Sequence, residues 1–171
     1  IGDFVGNDFI LDAASKSSTL WIDYGKDNYA GVTWSGIRDQ ANRPLFIGWM
    51  SNWDYCGSTP YSSSPFRGQN TFPRALSLVQ TPAGLRLKSA PVEQYNNLRS
   101  DIVYTAPIST VSSIWQSGGV KAMRDGTYLI DLEIEDTKKS WKLTLKNDKK
   151  EFVAVGYNAK TNEVYLDRKN S

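Results

Sequence analysis

The stretch Arg43–Leu78, RPLFIGWMSNWDYCGSTPYSSSPFRGQNTFPRALSL, decides how the rest of the chain is read. Leu45 to Met50 is a run of strand formers that leads into a polar, aromatic loop holding Asn52, Trp53, Asp54 and Tyr55. The loop closes on Phe66 to Arg74, and a second apolar strand, Ala75 to Val79, follows. Trp, Tyr, Asn and Arg gathered where a strand meets a loop are the ingredients of a sugar site. Aromatic faces stack on sugar rings, and planar polar groups bond the hydroxyls. The same residues also describe a β-core with an aromatic-rich loop, and both readings stand at this point.

Strands and turns extend in both directions from this stretch. Asp3 to Phe9 reads as strand and turn, with Gly6-Asn7 as the turn signal. Leu20 to Gly25 and Tyr29 to Trp34 are expected as short strands, separated from the opening stretch by a polar loop, Ser35 to Asn42. Short strands at close spacing suit a propeller blade or a sandwich. Downstream, Thr81 to Gly84 is a turn, Leu85 to Ala90 alternates, and Pro91 ends that strand. Val92 to Leu98 is the best candidate for a short helix or linker. The expected division is residues 1–84, a linker at 85–100, and a second domain at 101–171.

That second part reads as hairpins. Thr127 to Glu135 alternates apolar with acidic residues, and Trp141, Leu143 and Leu145 alternate with Lys142, Thr144 and Lys146. Turns at Asn147-Asp148 and at Asn158 to Asn162 frame strands at Phe152 to Tyr157 and Val164 to Leu166. Period-two patterning with one charged face marks antiparallel sheet with one side in water. Lys138, Lys139, Lys149 and Lys150 are expected to be solvated.

Composition narrows the function classes. The chain has 171 residues, enough for one domain or two small ones, and its formal charge of +2 gives no reason to expect a nucleic-acid partner. It holds no histidine, which excludes Ser-His-Asp and Cys-His catalysis and histidine-bound zinc within the chain. Cys56 is the sole cysteine, so there is no intrachain disulfide and no thiolate metal cluster. No metal or cofactor is expected. No apolar run reaches membrane-spanning length. The chain begins at Ile1 rather than Met and stops just after a strand, so a piece of a longer protein with an incomplete sandwich is expected.

Three segments in order, IDYGKDNYAGVTW (Ile22–Trp34), RPLFIGWMSNWDY (Arg43–Tyr55) and FRGQNTFPRALSL (Phe66–Leu78), resemble glycoside hydrolase family 32, the invertases, inulinases and levanases. IGDFVGNDF at the start and GYNAKTNEVYLDRKNS at the end resemble further parts of that family. The resemblance is weakest between Tyr95 and Lys121. It implies an all-β chain: the last part of a five-bladed β-propeller followed by part of a C-terminal β-sandwich. It also implies a β-fructofuranosidase acting on sucrose or fructans by retaining double displacement.

The family's catalytic carboxylates lie in motifs like WMNDPNG, RDP and EC, and none of these occurs here. Asp39 in IRDQ and Cys56 in DYCG are the nearest look-alikes, in the wrong contexts, so no catalytic residue is expected. Phe66 stands where the family usually has Trp, and Ala75 where it usually has Glu, which removes a carboxylate near Arg74. The resemblance implies substrate contacts at Trp53 first and Trp49 second, with Asp23, Tyr24, Asp27 and Arg67 as further candidates. For the tryptophans the alternative is packing between blades. For Asp23 it is a turn cap, and for Arg67 a brace within the blade.

The expected partners are a fructoside or fructan, and either a second copy or the absent N-terminal propeller part, since an isolated blade exposes apolar faces. The implied location is secreted, periplasmic or cell-surface. The rival reading is a non-catalytic carbohydrate-binding or propeller-completing module.

Overall fold

The computed structural model describes residues 1–59, 67–99 and 129–170. It divides into two compact units, Ile1–Arg99 and Ser100–Ser171. The described residues are all-β apart from short helical segments, the longest being the six-residue 3-10 helix Glu93–Leu98, where a short helix or linker was expected. Expectations at Phe66 and at Thr127–Tyr128 fall outside the described residues.

In the first unit, β1 (Gly2–Val5) and β2 (Asp8–Leu11) form a hairpin around Gly6-Asn7. A helical turn, α1 (Ala13–Lys16), follows, and the Asp12 carboxylate caps it by accepting the Ser15 N–H at 2.9 Å. Next come β3 (Tyr29–Arg38), β4 (Pro44–Trp49), β5 (Arg74–Thr81) and β6 (Gly84–Pro91), an antiparallel four-stranded sheet in chain order. Residues 84–91, which run into the expected linker range, pair along their whole length with β5.

Three expectations need correction. Leu20–Gly25 is not a strand but an irregular segment with bends, and among the described residues no strand supplies a ladder for it. The polar loop expected from Ser35 is instead a continuation of β3 as far as Arg38. Every residue of β3 is exposed, so polar side chains cost nothing there, and the ladder with β4 shifts register after Thr33 and resumes at Arg38 opposite Pro44. Among the described residues, 129–135 form no strand despite their alternation, and Leu129, Ile130 and Leu132 stay 38–46% exposed.

β3 carries a bulge. Tyr29 pairs with Trp49 and Val32 with Ile47, so three residues of β3 span two of β4. Ala30 takes up the extra residue in the left-handed region at φ 49°. The core of the sheet sits at Phe46 and Ala75, with buried Ser51 at the end of the loop strand.

The second unit holds β7 (Trp141–Lys146), β8 (Phe152–Asn158) and β9 (Glu163–Asn170), an antiparallel meander. β7 alternates half-buried and exposed residues, as its sequence requires, and Ala154 in the central strand is buried. Lys138, Lys139, Lys149 and Lys150 are all exposed.

Candidate functional site

Two loops meet where β4 ends, and both are positioned by backbone bonds. The end of β4 is gripped by the returning segment before β5. Thr71 N–H donates to the Gly48 carbonyl and Met50 N–H to the Gln69 carbonyl, each at 2.8 Å. The Thr71 hydroxyl also accepts the Gly48 N–H at 3.0 Å. Gly68 makes the approach to Trp49 possible. It has φ 88°, and a side-chain carbon there would lie 3.0 Å from the indole nitrogen. Gly48 is required for a different reason: a side-chain carbon would fall 1.9 Å from the Asn28 Oδ1, so the loop at 23–28 packs directly on the strand.

Trp49, Trp53 and Tyr29 form an aromatic cluster at this strand end. The Trp49–Trp53 centroids are 5.2 Å apart at 64°, and Tyr29 lies edge-on to Trp49 at 6.3 Å and to Trp53 at 6.4 Å. Trp49 is half-buried, whereas Trp53 is 72% exposed, an indole with most of its surface towards water. The clefts of about 450 Å³ beside residues 15–20 and about 240 Å³ beside Asp39, Arg43 and Glu93 lie on other residues. The aromatic site is an open platform.

The neighbouring loop carries two carboxylates with different surroundings. Asp23 accepts the Gly25 N–H at 2.8 Å and the Asn28 side-chain amide at 3.2 Å, and it pairs with Arg74 Nη1 at 2.9 Å. Burial acts to raise its pKa, but the Gly25 N–H and the Arg74 guanidinium outweigh burial and hold the carboxyl below its ordinary value. Asp27 accepts from two donors of the aromatic loop. Asn52 Nδ2 reaches its Oδ1 at 2.6 Å, and the Tyr55 hydroxyl donates to the same oxygen. Lys26 and Asp54, both exposed, form a second link between the loops at 3.6 Å.

The candidates named from sequence therefore separate. Trp49 and Trp53 come together, and Asp23 and Asp27 sit on the adjoining loop. Asp23 both caps its turn, one of the alternatives open in the sequence, and bonds Arg74. Tyr24, between the carboxylates, is 81% exposed. Arg67 donates to the Gly57 carbonyl within the same long connection.

Sequence reasoning did not pair Arg74 with Asp23, since 51 residues separate them. It also missed Tyr29 as a third ring and Asn28 as the contact to Gly48. The register Tyr29↔Trp49 would have found Tyr29, but the bulge hides that register from a simple period-two count.

The strand end thus carries an open aromatic platform flanked by ordered carboxylates and amides. Residues 1–91 match the family described as Glycosyl hydrolases family 32 N-terminal domain, and the chain belongs to that family. A levanase of Bacillus subtilis (strain 168) is 32% identical over 175 residues, covering 100% of this chain and 25% of the levanase. An extracellular exo-inulinase of Aspergillus niger is 30% identical over 181 residues, covering 100% of this chain and 32% of that enzyme. The crystal structure of exo-inulinase from Aspergillus awamori superposes with a TM-score of 0.62 at 21% identity, over 99% of this chain and 33% of that one. The chain thus spans about a quarter to a third of the length of these relatives. Among the described residues no helix is long and apolar enough to cross a membrane.

Proposed function

We propose that this chain is the C-terminal portion of a retaining β-fructofuranosidase-type hydrolase acting on fructans or sucrose, and that it contributes substrate-binding surface rather than catalytic carboxylates. The observation that carries the reading is the Trp49–Trp53–Tyr29 platform, with Trp53 72% exposed, inside the segment matched by the family. The names of the relatives, levanase and extracellular exo-inulinase, support a fructan substrate and a secreted protein. In this reading Trp53 stacks on a fructosyl ring with Trp49 behind it, and Tyr24 and Arg67 lie at the margin. Asp23 presents hydroxyl-accepting oxygen only on the side that Arg74 and Gly25 leave open.

The first unit corresponds to the last part of the propeller and the second to part of the sandwich. Phe4 and Val5 on the first hairpin are 76% and 64% exposed. These apolar residues suit cover by the rest of the enzyme or by a second copy.

Retaining glycosidases need two carboxyl groups about 5 Å apart, one a nucleophile and one an acid/base. None of the family's catalytic motifs is present in this sequence. The purified chain should therefore release no fructose from sucrose, inulin or levan above background in a reducing-sugar assay, while retaining weak fructan binding that Trp53→Ala abolishes. Robust turnover by the chain alone would overturn the assignment of its role.

A further inference from the structure

We infer that Asp27 is a positioning residue for Trp53: its carboxylate is the clasp that fixes the aromatic loop, and it is not itself a sugar ligand. The inference rests on the reading of Trp53 as the sugar platform. Asp27 is bonded by Asn52 and by Tyr55, the residues that bracket Trp53 on its two sides. Both bonds converge on one oxygen, Oδ1 of Asp27.

The Asn52 amide is used in both directions. Its Oδ1 accepts the Asp54 N–H at 3.0 Å while its Nδ2 faces Asp27. This orientation is forced, because a carboxylate only accepts and the amide oxygen would be repelled there. The Asn52 carbonyl also accepts the Cys56 N–H at 3.1 Å, which closes residues 52–56 into a compact turn. Trp53 is mostly solvent-exposed and meets its two aromatic neighbours in steeply inclined pairs, so little packing of its own defines where its face points. The turn beneath it must supply that definition, and the turn is tied to the 23–28 loop through Asp27. A platform ordered before the ligand arrives avoids the entropy of ordering it on binding.

The test separates an acceptor from a charge. Asp27→Asn keeps an oxygen able to accept both bonds, whereas Asp27→Leu keeps the volume and removes the acceptor. The chain is labelled with 5-fluorotryptophan, and the Trp53 resonance is assigned with Trp53→Phe. In Asp27→Leu the Trp53 line is expected to move towards the position of a free indole while the other tryptophan lines hold. Inulin affinity should then fall roughly tenfold. In Asp27→Asn the line should stay in place and affinity should fall less than about twofold.

An unmoved Trp53 line in Asp27→Leu would overturn the inference. So would Asp27→Asn losing affinity as Asp27→Leu does while its Trp53 line stays in place, since the charge itself would then be what the sugar needs. Should Asp27→Leu not fold, the double variant Asn52→Ala/Tyr55→Phe, which keeps the carboxylate, must displace the Trp53 line, and an unchanged line there overturns the clasp. Titration of the unsubstituted chain with inulin addresses the underlying reading separately. A Trp53 line that ignores inulin, with Trp53→Phe binding as well as the parent, would remove the sugar platform and leave the clasp to be judged on the fluorine line alone.

Discussion

The two sheets are stabilised in different ways. In β7 the side chains follow the pleat: Trp141, Leu143 and Leu145 are half-buried, and Lys142, Thr144 and Lys146 face water, while β9 of the same sheet is exposed at all but one position. In β3–β6 the alternation is broken. β3 is exposed along its whole length, and order is concentrated at Phe46, at Ala75 and in the loops that pack on the end of β4. A regular sheet distributes its stability along the strands. The irregular one depends on a few contacts of long sequence separation, and these contacts also build the platform.

That contrast predicts unequal costs of substitution. Phe46→Ala removes a buried ring that covers Gly31 and underlies Arg74, and should destabilise the first unit by about 3 kcal/mol or more in urea denaturation. A loss below that of Leu143→Ala would erase the distinction drawn between the sheets.

Arg74→Ala comes next. It strands Asp23, whose side chain is 29% exposed, and leaves a gap over Phe46, for a loss of about 1–2 kcal/mol after allowance for solvent screening. The pH dependence carries a sign. Asp23 has a folded-state pKa below its ordinary 3.8, so the ion pair contributes fully above that value, and its contribution disappears as pH falls through the lower folded-state value. Arg74→Ala should therefore flatten the loss of stability below pH about 4 relative to the parent. An unaltered acid limb would mean that Asp23 is held by its turn alone.

Leu143→Ala, at a half-buried inward position of the regular sheet, should cost about 1–2 kcal/mol. Lys142→Thr on the opposite face should change stability by less than about 0.5 kcal/mol. Equal effects at these two positions would show that the β7 alternation does not report burial.

These differences also explain how much could be read in advance. The first hairpin, β4 to β6 and the second sheet were legible because turn residues and period-two patterns are local signals. The extension of β3 was not, because an exposed strand places no hydrophobic demand on Ser35 to Arg38. Leu20–Gly25 and residues 129–135 carry strand-like sequences without a described partner strand, and the partner decides the outcome. At the site, Trp49 and Trp53 were visible from their place after a strand. The Asp23–Arg74 pair and the Asn52–Asp27–Tyr55 convergence were not, since both join residues 25 or more apart.

The bulge at Tyr29–Val32 has a consequence for how this protein tolerates change. Tyr29 and Val32 are an odd number of residues apart, yet each pairs with a residue on one face of β4, Trp49 and Ile47. The bulge absorbs the extra residue and leaves the pairs on either side in step. Substitution at Ala30, including to glycine, preserves the frame. Deletion of a single residue between Tyr29 and Val32 would leave two steps on each strand, so Tyr29 would stay opposite Trp49 and only the bulge would be lost. In a lineage of such enzymes, loss of one residue between Tyr29 and Val32 should therefore be tolerated better than loss of one within the regular β5–β6 ladder, where it shifts every later pair by a step.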